Sequence, residues 1–261
     1  MSRDNPCFTK LFHIDAGTRV VALVGGGGKT SLMYRLAWEM RSLGLRVIST
    51  TTTRIFPPNA DQSPLLLTVA DDPELRRLPE ALRKFGHVTV GHSLLDVGKV
   101  EGISSETIRI GLECADAVLV EADGAAGRPL KAPESWEPVV PEAADLVIPV
   151  VGLECIGSEA NSETVFRLER FLALTGMREG SRITPWTVGL LLAHKLGGLK
   201  AVPARARVIP FLNKVDLLAD TDDIALAARE IGVRAGNRIK SLVVGALKDP
   251  NATAGYAIRV V

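Results

Sequence analysis

Cysteine, aromatic side chains, net charge and long apolar runs are all scarce in this sequence, and each scarcity removes a class of function. The three cysteines, Cys7, Cys114 and Cys155, are odd in number and far apart. They offer no disulfide framework and point to a reducing compartment. Aromatic residues make up 5% of the chain, too few for a platform on which nucleic-acid bases stack. Lysine and arginine total 31 against 30 acidic residues, so the net charge is +1. That balance leaves no electrostatic footprint for nucleic acid or an anionic membrane. Apolar runs such as "AVLV" and "LVIPVVGL" fall far short of the ~18 residues a membrane span needs. The opening "MSRDNPCFTKLFHIDAG" lacks the apolar stretch of a signal peptide. A cytoplasmic protein with no nucleic-acid or membrane partner is expected. The histidines (His13, His87, His92 and His194) show no metal-ligand spacing with each other or with the cysteines.

β-Branched runs are plentiful: "RVVALV", "RVIST", "HVTVG", "DAVLVEADG", "DLVIPVVG", "RVIPFLN" and "IKSLVVGAL". Most are apolar on both faces, as strands buried in a parallel sheet between helix layers are. Helical spacing follows the first run, with Leu32, Met33, Leu36, Ala37, Met40 and Leu43 on one side and Gly44 placed to end it. Ser104 or Ser105 is placed to cap a helix through "SSETIRIGLEC", and a last helix is expected over about 222–231. The expected fold is α/β, a doubly wound and mostly parallel sheet. It forms one domain over residues 1–261 with a helical insertion at about 160–200. Two segments rich in proline and glycine, "RIFPPNADQSP" and "GAAGRPLKAPESWEPVVPEAA", read as long ordered loops.

Four consecutive glycines, Gly25, Gly26, Gly27 and Gly28, separate the first strand from the helix that begins with Lys29, Thr30 and Ser31. Strand, glycine loop, Lys-Thr and helix in that order form the layout of a phosphate-binding loop, which makes the expected fold of P-loop NTPase type. A bare backbone lets N–H groups turn toward an anion, and the helix N-terminus adds its dipole. Lys29 is expected on the β- and γ-phosphates and the Thr30 hydroxyl on Mg²⁺. The pattern departs from G-x-x-x-x-G-K-[ST] at its first position, which holds Leu23. Val24 stands where one ATPase branch carries an extra lysine.

Beyond the strand "AVLVEADG" come Glu121, Asp123 and Gly124. A carboxylate at such a strand tip holds Mg²⁺ opposite the loop threonine, with Asp123 the first choice and Glu121 the second. The spacing Glu121-x-x-Gly124 also resembles the D-x-x-G switch of GTP-binding proteins. In "STTTTRI" four threonines could ligate Mg²⁺ or phosphate from a loop, or serve only as strand residues, and Arg54 is a weak candidate for a phosphate contact. Asn213-Lys214-Val215-Asp216 follows a later strand where GTP-binding proteins carry N-K-x-D. There Asp216 would accept from guanine N1–H and the 2-amine while Lys214 lies along the purine. Adenine leaves that carboxylate without donors, so GTP is favoured and ATP is the alternative. Gly245 and Ala246 are secondary candidates beside the base. Catalysis would fall to Lys29, Asp123 and Glu121.

Taken together, "VALVGGGGKTS", "STTTTRI", "EADGAAGRPLKAPESWEPVVP" and "GGLKAVPARARVIPFLNKVD" give a chain that resembles the YqeC-like family, accessory proteins of selenium-dependent molybdenum hydroxylases. The resemblance spans nearly the whole chain and implies a role in maturing such a hydroxylase, with the hydroxylase or a cofactor-handling protein as partner. It also suggests roles for Arg128, Lys131 and Glu137, with Arg128 and Lys131 as ligands of an anionic cofactor or substrate. Three activities follow as expectations: a Mg²⁺-dependent GTP hydrolase, an ATP-dependent kinase or ligase, and a nucleotide-controlled binding module with little turnover.

Overall fold

The computed structural model describes residues 7–70, 72–247 and 255–260. In chain order, α1 (Phe8–Leu11) precedes β1 (Val20–Gly25), the glycine loop and α2 (Lys29–Ser42). Next come β2 (Val47–Thr51), the two-residue β3 (Arg54–Ile55), β4 (Leu66–Thr68), α3 (Asp72–Arg76) and α4 (Leu78–Phe85). β5 (His87–Gly91), β6 (Val100–Glu101), α5 (Ser105–Gly111), β7 (Ala117–Glu121), β8 (Leu130–Lys131) and β9 (Leu146–Gly152) follow. The remainder comprises β10 (Val165–Phe166), α6 (Leu168–Thr175), α7 (Pro185–Ala193), β11 (Arg207–Val208), β12 (Phe211–Asn213), α8 (Asp222–Ala235), β13 (Ser241–Gly245) and β14 (Tyr256–Arg259).

The main sheet runs β14-β13-β12-β9-β1-β7-β2-β5-β4, with β11 also against β9. All its pairings are parallel except the edge strand β14 on β13. The α/β, mostly parallel architecture expected from the buried runs is therefore present. β1 alternates cleanly. Val21 and Leu23 pack with Leu32, Leu36, Phe8 and Phe211 on one face, while Val20, Ala22 and Val24 pack with Ile108, Leu82 and Val118 on the other. A period of two buried on both sides holds register, because a slip of one residue would exchange the two faces. A further cluster joins α6, α7 and α8 to the flank of the sheet through Phe171, Val188, Leu191, Ile224 and Leu212.

Ser104 caps α5, its hydroxyl accepting from Thr107 N–H at 3.1 Å, and Gly44 follows the end of α2 with φ +83°. His87 is buried beside the Ser49 hydroxyl at 2.9 Å, and burial, with the nearby Arg41 charge, holds its pKa down at about 4. Cys155 is buried, and that burial pushes its thiol pKa up. No helix among the described residues is long and apolar enough to cross a membrane.

Candidate functional site

β1 is central, with β7 on one side and β9 on the other, so the glycine loop emerges where the carboxyl ends of the strands open a crevice. The first three glycines turn inward. Gly25 N–H donates to both carboxylate oxygens of Asp123 at 3.1 Å, Gly26 N–H to the Val150 carbonyl at 2.9 Å, and Gly27 N–H to the Arg128 carbonyl at 3.0 Å. A Cβ on Gly25 would lie 2.4 Å from the Val150 oxygen, and one on Gly27 2.1 Å from the Gly152 nitrogen. Close backbone packing is therefore what demands glycine there. Positive φ adds a second demand at Gly25 (+94°), Gly27 (+76°) and Gly28 (+130°), where a Cβ would also meet Asn213 Nδ2 at 2.3 Å.

The free donors lie at the start of α2. Backbone N–H groups of Gly28, Lys29, Thr30 and Ser31 have no acceptor among the described residues, and no side chain caps α2. They stand at a helix N-terminus, where free N–H groups and the dipole both favour negative charge. Residues 27–31 line one cleft of about 630 Å³, and Gly25 and Gly26 do not. Packing of the loop against Asp123, Val150 and Arg128 thus takes up the N–H groups of Gly25, Gly26 and Gly27 and leaves those of residues 28–31 without an acceptor among the described residues.

The two carboxylates separate just as clearly. Glu121 ends β7, lines the cleft and accepts a 2.6 Å hydrogen bond from Thr30 Oγ1. Burial raises its pKa, while Lys29, with Nζ 3.9 Å away, and the Thr30 hydrogen bond oppose that rise. Asp123 lies past the strand end, 1% exposed, and does not line the cleft. Its oxygens are held by Gly25 N–H, by Lys29 Nζ at 3.2 Å and by Lys131 Nζ at 3.2 Å. Thr30 therefore faces Glu121 rather than Asp123, the reverse of the order expected for a metal pair. Lys29 Nζ also donates to the Gly25 carbonyl at 2.5 Å.

At the β12 end, Asn213 braces the loop. Its Nδ2 donates to the Gly27 carbonyl at 2.7 Å, and its Oδ1 accepts from Leu247 N–H at 3.4 Å. Lys214 has φ +65° and forms an ion pair with Glu154, a partner that nothing in the sequence singled out. Asp216 is exposed in the 3-10 turn Val215–Leu217 and lines the same cleft as the phosphate loop, together with Lys214, Leu217 and Leu247. Gly245 lies elsewhere, packed against Phe8 and Phe211, and Ala246 is buried.

On the β2 side the threonines are structural. Thr50 Oγ1 donates to the Val90 carbonyl, Thr51 Oγ1 to the Glu121 carbonyl and Thr52 Oγ1 to the Val139 carbonyl, each at 2.7 Å. No threonine of that run lines the cleft, whereas Arg54, Phe56, Lys99 and Arg128 do. Phe56 and Lys99 went unnoticed in the sequence, since one sits in a proline-rich loop and the other 43 positions later. Lys131 is not available to a ligand. Its side chain is 0% exposed and is held by Asp123, by Glu137 at 3.1 Å and by the Gly124 carbonyl at 2.5 Å.

Comparison with known proteins adds a kinship. A family model described as YqeC protein matches residues 21–169. An Escherichia coli (strain K12) protein described as uncharacterized protein YqeC is 35% identical over 209 residues, covering 77% of this chain and 79% of that protein. The crystal structure of the signal recognition particle receptor FtsY from Elizabethkingia anophelis aligns with a TM-score of 0.34 and 13% identity. That alignment covers 87% of this chain and 57% of the receptor chain, so this chain spans little more than half its length.

Proposed function

The chain belongs to the YqeC family, and from that premise we propose that its cleft binds a nucleoside triphosphate with Mg²⁺, GTP in preference to ATP, and hydrolyses it. The observation that carries this reading is the set of unpaired N–H groups at residues 28–31, sharing one cleft with Lys29, Thr30 and Glu121. Polyphosphate supplies the acceptors those groups lack, and Lys29 adds its positive charge at the cleft floor. The Thr30 hydroxyl and the Glu121 carboxylate, already 2.6 Å apart, are the hard oxygen donors that suit Mg²⁺. Bound there, the ion would draw negative charge off the phosphate oxygens. Asp123 acts behind the loop, fixing Gly25 and Lys29 in place.

Asp216 supports the guanine preference because its exposed carboxylate lines the same cleft and has no hydrogen-bond partner among the described residues. Replacing it tests the preference. Asp216→Asn is expected to weaken GTP by about tenfold or more and to strengthen xanthosine triphosphate, whose O2 accepts from the new amide. Titration calorimetry reads both, and unchanged GTP affinity in the variant contradicts the assignment. The nucleotide cycle is assigned to an accessory step in maturing a selenium-dependent molybdenum hydroxylase, an assignment supported by the family resemblance. Transfer from ATP to a small acceptor is the second reading, favoured by the room the cleft leaves on the β2 side of the phosphate loop.

A further inference from the structure

The cleft has two arms. β12 lies two strands to one side of β1 and β2 lies two strands to the other, so the loops after them enter the cleft from opposite directions. The β12 arm carries Asp216. The β2 arm carries Arg54, Phe56 and Lys99, faced by the turn that holds Arg128.

No ion pair among the described residues engages Arg54, Lys99 or Arg128 in this second arm, although Glu101 stands opposite Arg54 in the β3–β6 register. The carboxylates lining the cleft are Glu121, held by Thr30, and Asp216 at the opposite end. Arg54 is exposed and has no ion pair or hydrogen bond among the described residues. Lys99 sets its ammonium 4.9 Å from the centroid of the Phe56 ring and meets no carboxylate among the described residues. The Arg128 guanidinium donates only to backbone, to the Ser162 carbonyl at 3.1 Å and the Ala126 carbonyl at 2.8 Å. Three cationic side chains that line one cleft favour the entry of an anion.

The support beneath them is a short strand pair anchored in the core. β3 pairs antiparallel with β6, Arg54 opposite Glu101 and Ile55 opposite Val100, and both Ile55 and Val100 are core residues. That ribbon fixes Arg54, Phe56 and Lys99 at one edge. Phe56 is 69% exposed, so a large ring is held open to solvent beside the cations. An exposed aromatic ring among cationic side chains is what a ligand with an apolar ring and an anionic tail would meet. Arginine suits phosphate through its planar fork, and three cations match a dianionic phosphate better than a single carboxylate.

We propose that the β2 arm binds a second ligand, a small phosphate monoester bearing a flat apolar ring, beside the position of the nucleotide's terminal phosphate. The site next to it rests on the nucleotide reading; the arm itself rests on Arg54, Phe56, Lys99 and Arg128.

The test is calorimetric titration of phenyl phosphate into the full chain, alone and saturated with GDP and Mg²⁺. Phenyl phosphate is expected to bind both forms, and more tightly than inorganic phosphate or benzoate. The double variant Arg54→Ala/Lys99→Ala is expected to lose about tenfold or more of that affinity, with GDP affinity held within about twofold. Phe56→Ala is expected to remove the advantage of phenyl phosphate over inorganic phosphate. All three side chains lie off the core, so circular dichroism should match the parent chain. Phenyl phosphate binding that is unchanged in these variants, or that GDP displaces completely, overturns the proposal. GDP binding without phenyl phosphate binding removes this site and leaves the nucleotide reading standing. Phenyl phosphate binding through these residues in a chain that takes no GDP does the reverse.

Discussion

One residue, Ala122, separates Glu121 from Asp123, and that spacing divides their tasks. β7 ends at Glu121, which keeps its carboxylate on Thr30 and in the cleft; the turn beyond carries Asp123 behind the loop. Glu121→Gln should therefore abolish the Mg²⁺ dependence of nucleotide affinity while leaving folding stability within about 1 kcal/mol, because the amide is isosteric and still accepts from Thr30. Asp123→Asn should instead lower stability by about 3 kcal/mol, since it removes a charge from between two buried lysines. The reverse pattern in urea titrations and Mg²⁺-dependent binding would place the metal on Asp123. Burial raises the Glu121 pKa, so acidification should discharge it, and weaken Mg²⁺-dependent binding, above the usual glutamate range. At this scale the sequence made the lysine, the threonine and both acids legible through their order along the chain. It could not show which acid meets Thr30, nor that Gly25–Gly27 point their N–H groups at Asp123, Val150 and Arg128. Those contacts join residues about a hundred positions apart.

β8 shows how a segment that reads as a loop becomes interior. "RPLKAPESWEPVVP" looks like a solvated connection rich in proline, yet Leu130 and Lys131 form a strand with β10, and Lys131 is enclosed. Its ammonium joins Asp123 to Glu137, and Glu137 in turn approaches the partly exposed Arg167 at 3.7 Å, so a chain of charge, buried as far as Glu137, runs from the phosphate loop to the residue after β10. Removing one member strands the others in a low-dielectric interior. Lys131→Met is expected to cost about 3–5 kcal/mol in urea unfolding, with part recovered in Lys131→Met/Glu137→Gln. A loss under about 1 kcal/mol would show that the network is solvated. The long strands were legible because β1, β7 and β9 are apolar on both faces and β2 and β5 are rich in β-branched residues. β4, β3 and β6 were not, because two or three residues carry no period, and β14 is an edge strand with mostly exposed side chains.

Across the whole molecule, the parallel order around β1 decides what the cleft can hold. β7 and β9 flank the loop, β12 brings Asp216 to one end and β2 brings Arg54 to the other, so one opening gathers groups from distant parts of the chain. Sequence order alone indicates that the phosphate elements and Asn213-Lys214-Val215-Asp216 each follow a strand. It does not indicate that Lys99 stacks on Phe56, which depends on β3 finding β6 across 45 positions. The most direct measurement is calorimetric titration of the intact protein with GTP and with ATP, each with Mg²⁺, in the parent chain and in Lys29→Ala. One GTP site is expected, about tenfold or more tighter than for ATP, with a loss of about a hundredfold in Lys29→Ala. Failure of both nucleotides to bind, or binding that Lys29→Ala leaves unchanged, would contradict the account.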